Sequence, residues 1–175
     1  MQLIGLTGKK RAGKDTACEM LSTIASPVAS QRIGFADAVY EDLSKMLRLP
    51  IFIIKENKEN FRLMLQGYAT DYRRKMCGYN YWIERWQKTF NTIHPDIQLV
   101  IVPDVRFVNE ADYIRKAGGV IWRIKRPLSE IDMHLSENEL DEFQFPEINN
   151  NDSPHHMFQQ LEKMYAVYST QHPVA

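Results

Sequence analysis

Gln2-Leu3-Ile4-Gly5-Leu6-Thr7-Gly8-Lys9-Lys10-Arg11-Ala12-Gly13-Lys14-Asp15-Thr16 lies at the start of the chain, and its reading decides the fold. Gln2 to Leu6 is a short apolar run of the kind that makes a buried strand. Thr7 to Gly13 is rich in glycine and basic residues. Ala17, Met20, Leu21, Ile24 and Ala25 then share one face of a helix that Pro27 stops. Gly8 to Lys14 matches G-x-x-x-x-G-K, and a strand–loop–helix order is what that motif needs in order to bind phosphate. Glycines let backbone N–H groups curl around phosphate oxygens. The lysine reaches the β- and γ-phosphates, and the helix N-terminus favours an anion. The candidate contacts to a nucleoside triphosphate are therefore Gly8, Lys9, Ala12, Gly13, Lys14, Asp15 and Thr16.

The motif is usually completed by Ser or Thr, whose hydroxyl holds Mg²⁺. Here Asp15 follows Lys14, and Thr16 comes next. A carboxylate is a suitable ligand for a hard cation, so Asp15 and Thr16 are both metal candidates. Asp15 is alternatively a first-turn acid that favours the helix dipole. A second acid ends the clearest strand, since Leu99-Val100-Ile101-Val102 runs into Pro103-Asp104-Val105-Arg106. The C-terminal edge of a parallel sheet is where such folds bind ligands. Asp104 is expected near the metal or the acceptor; alternatively it starts a turn or pairs with Arg106.

The remaining pattern alternates strands with helices. Residues 32–35 read as a second strand, and Val39, Leu43, Met46 and Leu47 as a helix ending near Pro50. Residues 55–60 form a charged solvated stretch, and 59–90 are helix-like with a break at 77–80. Asn109 to Ala117 is helical and stops at Gly118-Gly119. Val120 to Ile124 is a strand, 143–148 a short fifth strand, and Met157, Leu161, Met164, Tyr165 and Tyr168 mark a closing helix. The class is α/β with a parallel sheet.

With 175 residues, one domain is expected. Lys plus Arg and Asp plus Glu are 22 each, so the formal charge is zero, which argues against a binder of nucleic acid polymers. Cys18 and Cys77 cannot build a disulfide framework, and a reducing compartment such as the cytoplasm is expected. No apolar run is long enough to span a membrane, and Gly8 to Arg11 break the pattern of a secretory signal. His155 and His156 read as surface residues. His134, Ser136 and Glu137 form no triad by spacing alone.

Several segments together resemble the phage deoxynucleoside monophosphate kinases. Gly8 to Asp15 is similar to their loop, including Asp directly after the lysine. Phe35-Ala36-Asp37 resembles their element after the second strand. Arg62-Leu63-Met64-Leu65-Gln66-Gly67, with Arg73 and Tyr81-Trp82, resembles their monophosphate-binding region. Asp104-Val105-Arg106-Phe107 with Asn109-Glu110, then Gly118-Gly119, Arg126-Pro127 and His134-x-Ser136-Glu137, match in order, and Asn149 or Asn150 stands where an asparagine precedes the last helix. Tyr40 stands where the family commonly has lysine. Residues 128–142 hold no lysine or arginine, so a lid supplying several arginines is not expected from that stretch.

The resemblance implies a three-layer α/β/α fold of the P-loop NTPase type, with about five parallel strands. It also implies a helical acceptor-binding region over 37–97 and a candidate lid over 125–142. The implied reaction transfers the γ-phosphoryl group of ATP, with Mg²⁺, to a deoxynucleoside monophosphate. Lys14, Lys10, Arg11, Asp104 and Arg106 would serve catalysis, and Asp15, Thr16 and Asp104 the metal. Phe35, Asp37, Arg62, Gln66, Arg73, Trp82 and Arg106 would hold the acceptor. The partners would be small nucleotides, and a phage protein of this kind would work in the host cytoplasm. Trp82, Trp86 and Phe90 share a helical face that suits core packing or a homodimer surface. Two other readings share the loop. One is a kinase for another phosphorylated small molecule, similar to phosphomevalonate kinase. The other is a nucleotide-binding module without catalysis.

Overall fold

The computed structural model describes residues 1–127 and 138–174. Most of the candidate lid, together with His134, Ser136 and Glu137, lies outside the described residues. The chain forms two compact units. One comprises Met1–Ile33 with Ile93–Ala175, and the other is Gly34–Thr92.

The first unit is built on a parallel sheet. β1 (Gln2–Thr7) is central, between β3 (Leu99–Val102) and β4 (Val120–Lys125). β2 (Ser30–Arg32) and β5 (Glu147–Asn149) form the edges. Gln2 aligns with Leu99 and Ile4 with Val120. All four side chains of β3 are fully buried, as a run without polar alternation requires of a strand covered on both faces. Ile4, Leu6, Leu99, Ile101, Trp122, Ile124 and Ile148 face one layer, made by α1 (Lys14–Ile24) and α8 (Pro154–Gln171). On the opposite face Gly5 lies under α7 (Val108–Lys116), where a Cβ would stand 2.9 Å from both Ile114 and Val105. The result is helix, sheet, helix.

Two strands differ in position from the sequence reading. β2 comes earlier than 32–35, because the chain turns at Gly34. Ile33 N–H still donates to Ile101 at 3.0 Å, but Gly34 N–H donates to the Asp37 carboxylate at 2.7 Å. Phe35 therefore leaves the sheet. β5 starts only after Pro146, which has no N–H to donate, although its carbonyl accepts Arg123 N–H at 2.9 Å.

The second unit is helical. α2 (Asp37–Leu47) is followed by α3 (Ile51–Glu56), a short helix after Pro50 that the charged stretch masked. α4 (Arg62–Gln66) passes into a π-helical stretch, Gly67–Arg74, then α5 (Lys75–Cys77). Gly78, at φ +106°, makes the break, and α6 (Tyr81–Phe90) follows. Its core gathers Val39, Tyr40, Leu43, Ile54, Tyr68 and Trp82.

Candidate functional site

In the sheet unit the loop between β1 and α1 is shaped by its backbone. Gly8 has φ +137°, and a Cβ there would collide with the Ile124 carbonyl oxygen. Gly13 has φ +100°, with the Asn150 amide where a Cβ would go. Ala12 N–H closes the turn on the Lys9 carbonyl at 3.2 Å, and Asn150 Nδ2 donates to the Ala12 carbonyl at 2.9 Å. Lys14 is 8% exposed, and its ammonium donates to the carbonyls of Gly8 (2.6 Å) and Lys9 (2.8 Å). The N-cap of α1 is Gly13, which has no side chain with which to cap the helix. The loop thus offers backbone N–H groups, a helix N-terminus and a fixed ammonium to an anion.

The other loop residues divide. The Lys9 ammonium donates to Asn138 at 2.8 Å and pairs with Asp141, so Lys9 contributes to the curl through its carbonyl. The segment holding it is itself fixed. Glu139 accepts from Val108 N–H at 2.8 Å, and the Leu140 carbonyl accepts from Arg123. Lys10 is half-buried, while Arg11, Asp15 and Thr16 are exposed. Asp104 is half-buried after β3. Burial pushes the Cys18 thiol up to about 11, Arg32 opposes this, and Asp15, Glu19 and Asp104 add to it. Arg106 follows, its N–H donating to Glu110 at 2.8 Å, while Phe107 N–H donates to the same oxygen at 3.1 Å. Glu110 is 2% exposed and sets the start of α7, and with it the chain direction at Arg106. Among the described residues no group of three or more His, Cys, Asp or Glu is arranged as a metal site.

In the helical unit Asp37 accepts from Gly34 N–H, and its other oxygen stands 3.4 Å from the Lys55 ammonium, which lies over the Tyr40 ring. Arg62 and Gln66 are half-buried on α4. Phe35 is buried against Trp86 (ring centroids 5.4 Å apart), and Trp82 is 2% exposed. Trp82 Nε1 donates to the Ala69 carbonyl at 2.9 Å, with Tyr68 and Tyr81 beside the ring. The enclosed indole packs in the core of this unit, and Phe35 is buried as well.

Arg73 is the best-defined cation of this unit. Its Nε donates to the Tyr68 hydroxyl at 2.7 Å, and its guanidinium lies over the rings of Tyr68, Tyr72 and Tyr81 at 5.1–5.7 Å. The hydrogen bond to Tyr68 holds it above the ordinary arginine value. Tyr68 in turn donates to Asp42 at 3.0 Å, and Arg85 Nη1 lies 3.1 Å from the other Asp42 oxygen. Sequence reasoning missed Asp42 and Arg85, because three separate helical segments bring the group together. It found Glu110 and Asn150 only through the family resemblance.

A family profile described as "Deoxynucleotide monophosphate kinase" matches residues 30–162. A protein of Acanthamoeba polyphaga mimivirus described as "Putative deoxynucleotide monophosphate kinase" is 32% identical over 168 residues, covering 80% of this chain and 82% of that one. Among solved structures, shikimate kinase from Aquifex aeolicus shares the fold with a TM-score of 0.52 at 15% identity, covering 97% of this chain and 99% of that one. TT1252 from Thermus thermophilus does so with a TM-score of 0.51 at 14% identity, covering 95% and 97%.

Proposed function

Because this chain belongs to the deoxynucleotide monophosphate kinase family, we propose that it transfers the γ-phosphoryl group of ATP to a deoxynucleoside monophosphate. The observation that carries the reading in this chain is the curled loop, with Lys14 buried and pinned on two of the loop's carbonyls at a helix N-terminus whose N-cap is Gly13. The attacking atom is a phosphate oxygen, already ionised at neutral pH. No strong general base is needed, and catalysis reduces to alignment and charge neutralisation.

Gly8, Ala12 and Gly13 would present N–H groups to the donor phosphates. Lys14 would exchange its carbonyl contacts for phosphate oxygens, and Lys10 or Arg11 would reach the transferred group. Magnesium, when bound, neutralises charge on the donor phosphates. Asp15, Thr16 and Asp104 would hold such an ion, since two carboxylates and a hydroxyl are the hard oxygen donors it takes. Arg106, oriented through Glu110, and Arg62 and Arg73 of the helical unit would hold the acceptor phosphate. Asp37 and Gln66 would serve sugar or base.

An ADP-release assay with Mg-ATP and a panel of deoxy- and ribonucleoside monophosphates tests this reading, with Lys14→Ala as the control. Release should depend on a deoxynucleoside monophosphate and vanish in the variant. Release only with a different phosphorylated acceptor would replace the substrate class. ATP binding with no acceptor-dependent release would leave a binding module.

A further inference from the structure

Arg73 and Arg85 are neighbours of one carboxylate, yet they are held differently. Arg85 is committed to acids: its Nη1 lies 3.1 and 3.3 Å from the two Asp42 oxygens, and its Nη2 lies 3.5 Å from Glu41. Burial works against its charge, and Tyr81 and Asp42 hold it above the ordinary value all the same. Arg73 is held from the inside only. Its Nε is fixed by Tyr68, its faces by three tyrosine rings, and its Nη1 by a long contact to Cys77 at 3.7 Å. The nearest acid is Asp42, 4.0 Å from Nη2. Among the described residues, Nη2 has no hydrogen-bond acceptor. A planar guanidinium fixed at Nε, with Nη2 in no hydrogen bond and Nη1 in only a long sulfur contact, is suited to a phosphate oxygen.

The backbone is shaped for this arrangement. Tyr68 and Arg73 are five residues apart. In an α-helix, with 3.6 residues per turn, such residues point in different directions. In the π-helical stretch Gly67–Arg74 they fall into register, and the Nε-to-hydroxyl bond closes. π-turns are rare and concentrate at functional sites.

We propose that Asp42 and Tyr68 are positioning residues of the acceptor site. Asp42, neutralised by Arg85, orients the Tyr68 hydroxyl, and that hydroxyl aims Arg73 at the phosphate group of the monophosphate. This rests on the reading above that Arg73 holds the acceptor.

The test is a double-mutant cycle on the full chain, in the ADP-release assay, with the preferred monophosphate and ATP varied separately. Tyr68→Phe keeps the ring and removes one oxygen. It should raise the acceptor KM about tenfold, as losing a hydrogen bond to a charged group does, with the ATP KM unchanged. Asp42→Asn should do the same to a smaller degree. In an Arg73→Ala background, Tyr68→Phe should add nothing, since it acts only through Arg73. The proposal is overturned if Tyr68→Phe lowers the melting temperature but leaves the acceptor KM alone, or if it costs the same factor with Arg73 absent. If Arg73→Ala itself leaves the acceptor KM unchanged, the reading of Arg73 fails first and the proposal falls with it. That result differs visibly from a silent Tyr68→Phe beside a damaged Arg73→Ala.

Discussion

The two units of the chain make their binding groups by opposite means. In the sheet unit the geometry is backbone: positive-φ glycines, carbonyls that hold Lys14, and N–H groups at the start of α1. In the helical unit it is side chain: Asp42 of α2, Tyr68 and Arg73 of the π-helical stretch, and Tyr81 and Arg85 of α6. Backbone geometry is fixed by a few contiguous residues and leaves a motif. Side-chain geometry is fixed by packing between distant segments and leaves none. The difference explains why the glycine-rich loop is visible as a motif, whereas Asp42 and Arg85, which surround Tyr68 and Arg73, are seen only in the fold.

The sharpest way to break this contrast is to damage one unit at a time. Gly8→Ala forces a side chain into φ +137° and against the Ile124 carbonyl, so the loop must shift. A displacement of about 1 Å can cost about 100-fold in rate, and the loss should appear whichever acceptor is supplied, with ATP affinity reduced. Arg73→Ala should leave ATP affinity intact and raise the acceptor KM by about 10- to 100-fold. Steady-state kinetics with each substrate varied would show the split. A uniform loss from both variants would mean that the two sets of residues act as one.

The same contrast explains what the sequence disclosed. β1, the loop, α1 and β3 were legible because their signals are local: an unbroken apolar run, two glycines and a lysine at fixed spacing, a 3.6-residue stripe. β2 lies earlier than its expected place because Ile33-Gly34-Phe35 is apolar enough to pass for a strand. The Asp37 carboxylate that turns the chain at Gly34 is read only in three dimensions. For Trp82 the spacing suggested the core and the resemblance a ligand role, and only the fold shows how closely the indole is enclosed. Asp42 looks in sequence like any polar residue of an amphipathic helix. Its partners lie 26 and 43 residues away, beyond the reach of any period. Lys9 shows the same limit from the loop side. It belongs to the loop motif, but its ammonium is held by Asn138 and Asp141 from the far side of the sequence.

A smaller effect sharpens the contrast within the sheet unit, where one side chain does take part in the geometry. The buried Glu110 carboxylate accepts from Arg106 and Phe107 N–H. Glu110→Ala should cost about 1–3 kcal/mol of stability, since both donors lose their acceptor, and should loosen Arg106. Glu110→Gln keeps a carbonyl oxygen and should cost less. Denaturant melts measure the first effect, and the acceptor KM measures the second. A stable Glu110→Ala protein with unchanged KM would show that the segment after β3 holds its course without this cap.

The two free cysteines, one in each unit, give the mildest probe. Cys18 is 4% exposed and lies one turn after Lys14, whereas Cys77 is exposed beside Arg73. At pH 8 a thiol reagent should modify Cys77 quickly and Cys18 only on unfolding. The reactive form is the thiolate, which burial disfavours at Cys18 by raising its value from 9.0 to about 11. The folded state therefore keeps a proton that the unfolded state releases. The Cys18 contribution to stability is fully present below pH 9 and declines as the pH rises from about 9 to about 11. Cys18→Ser should flatten that part of the stability profile. If both thiols instead reacted at the same rate in the native protein, the first turns of α1 would be opening readily. A loop that depends on those turns for its N–H groups would not then hold its geometry through the backbone alone.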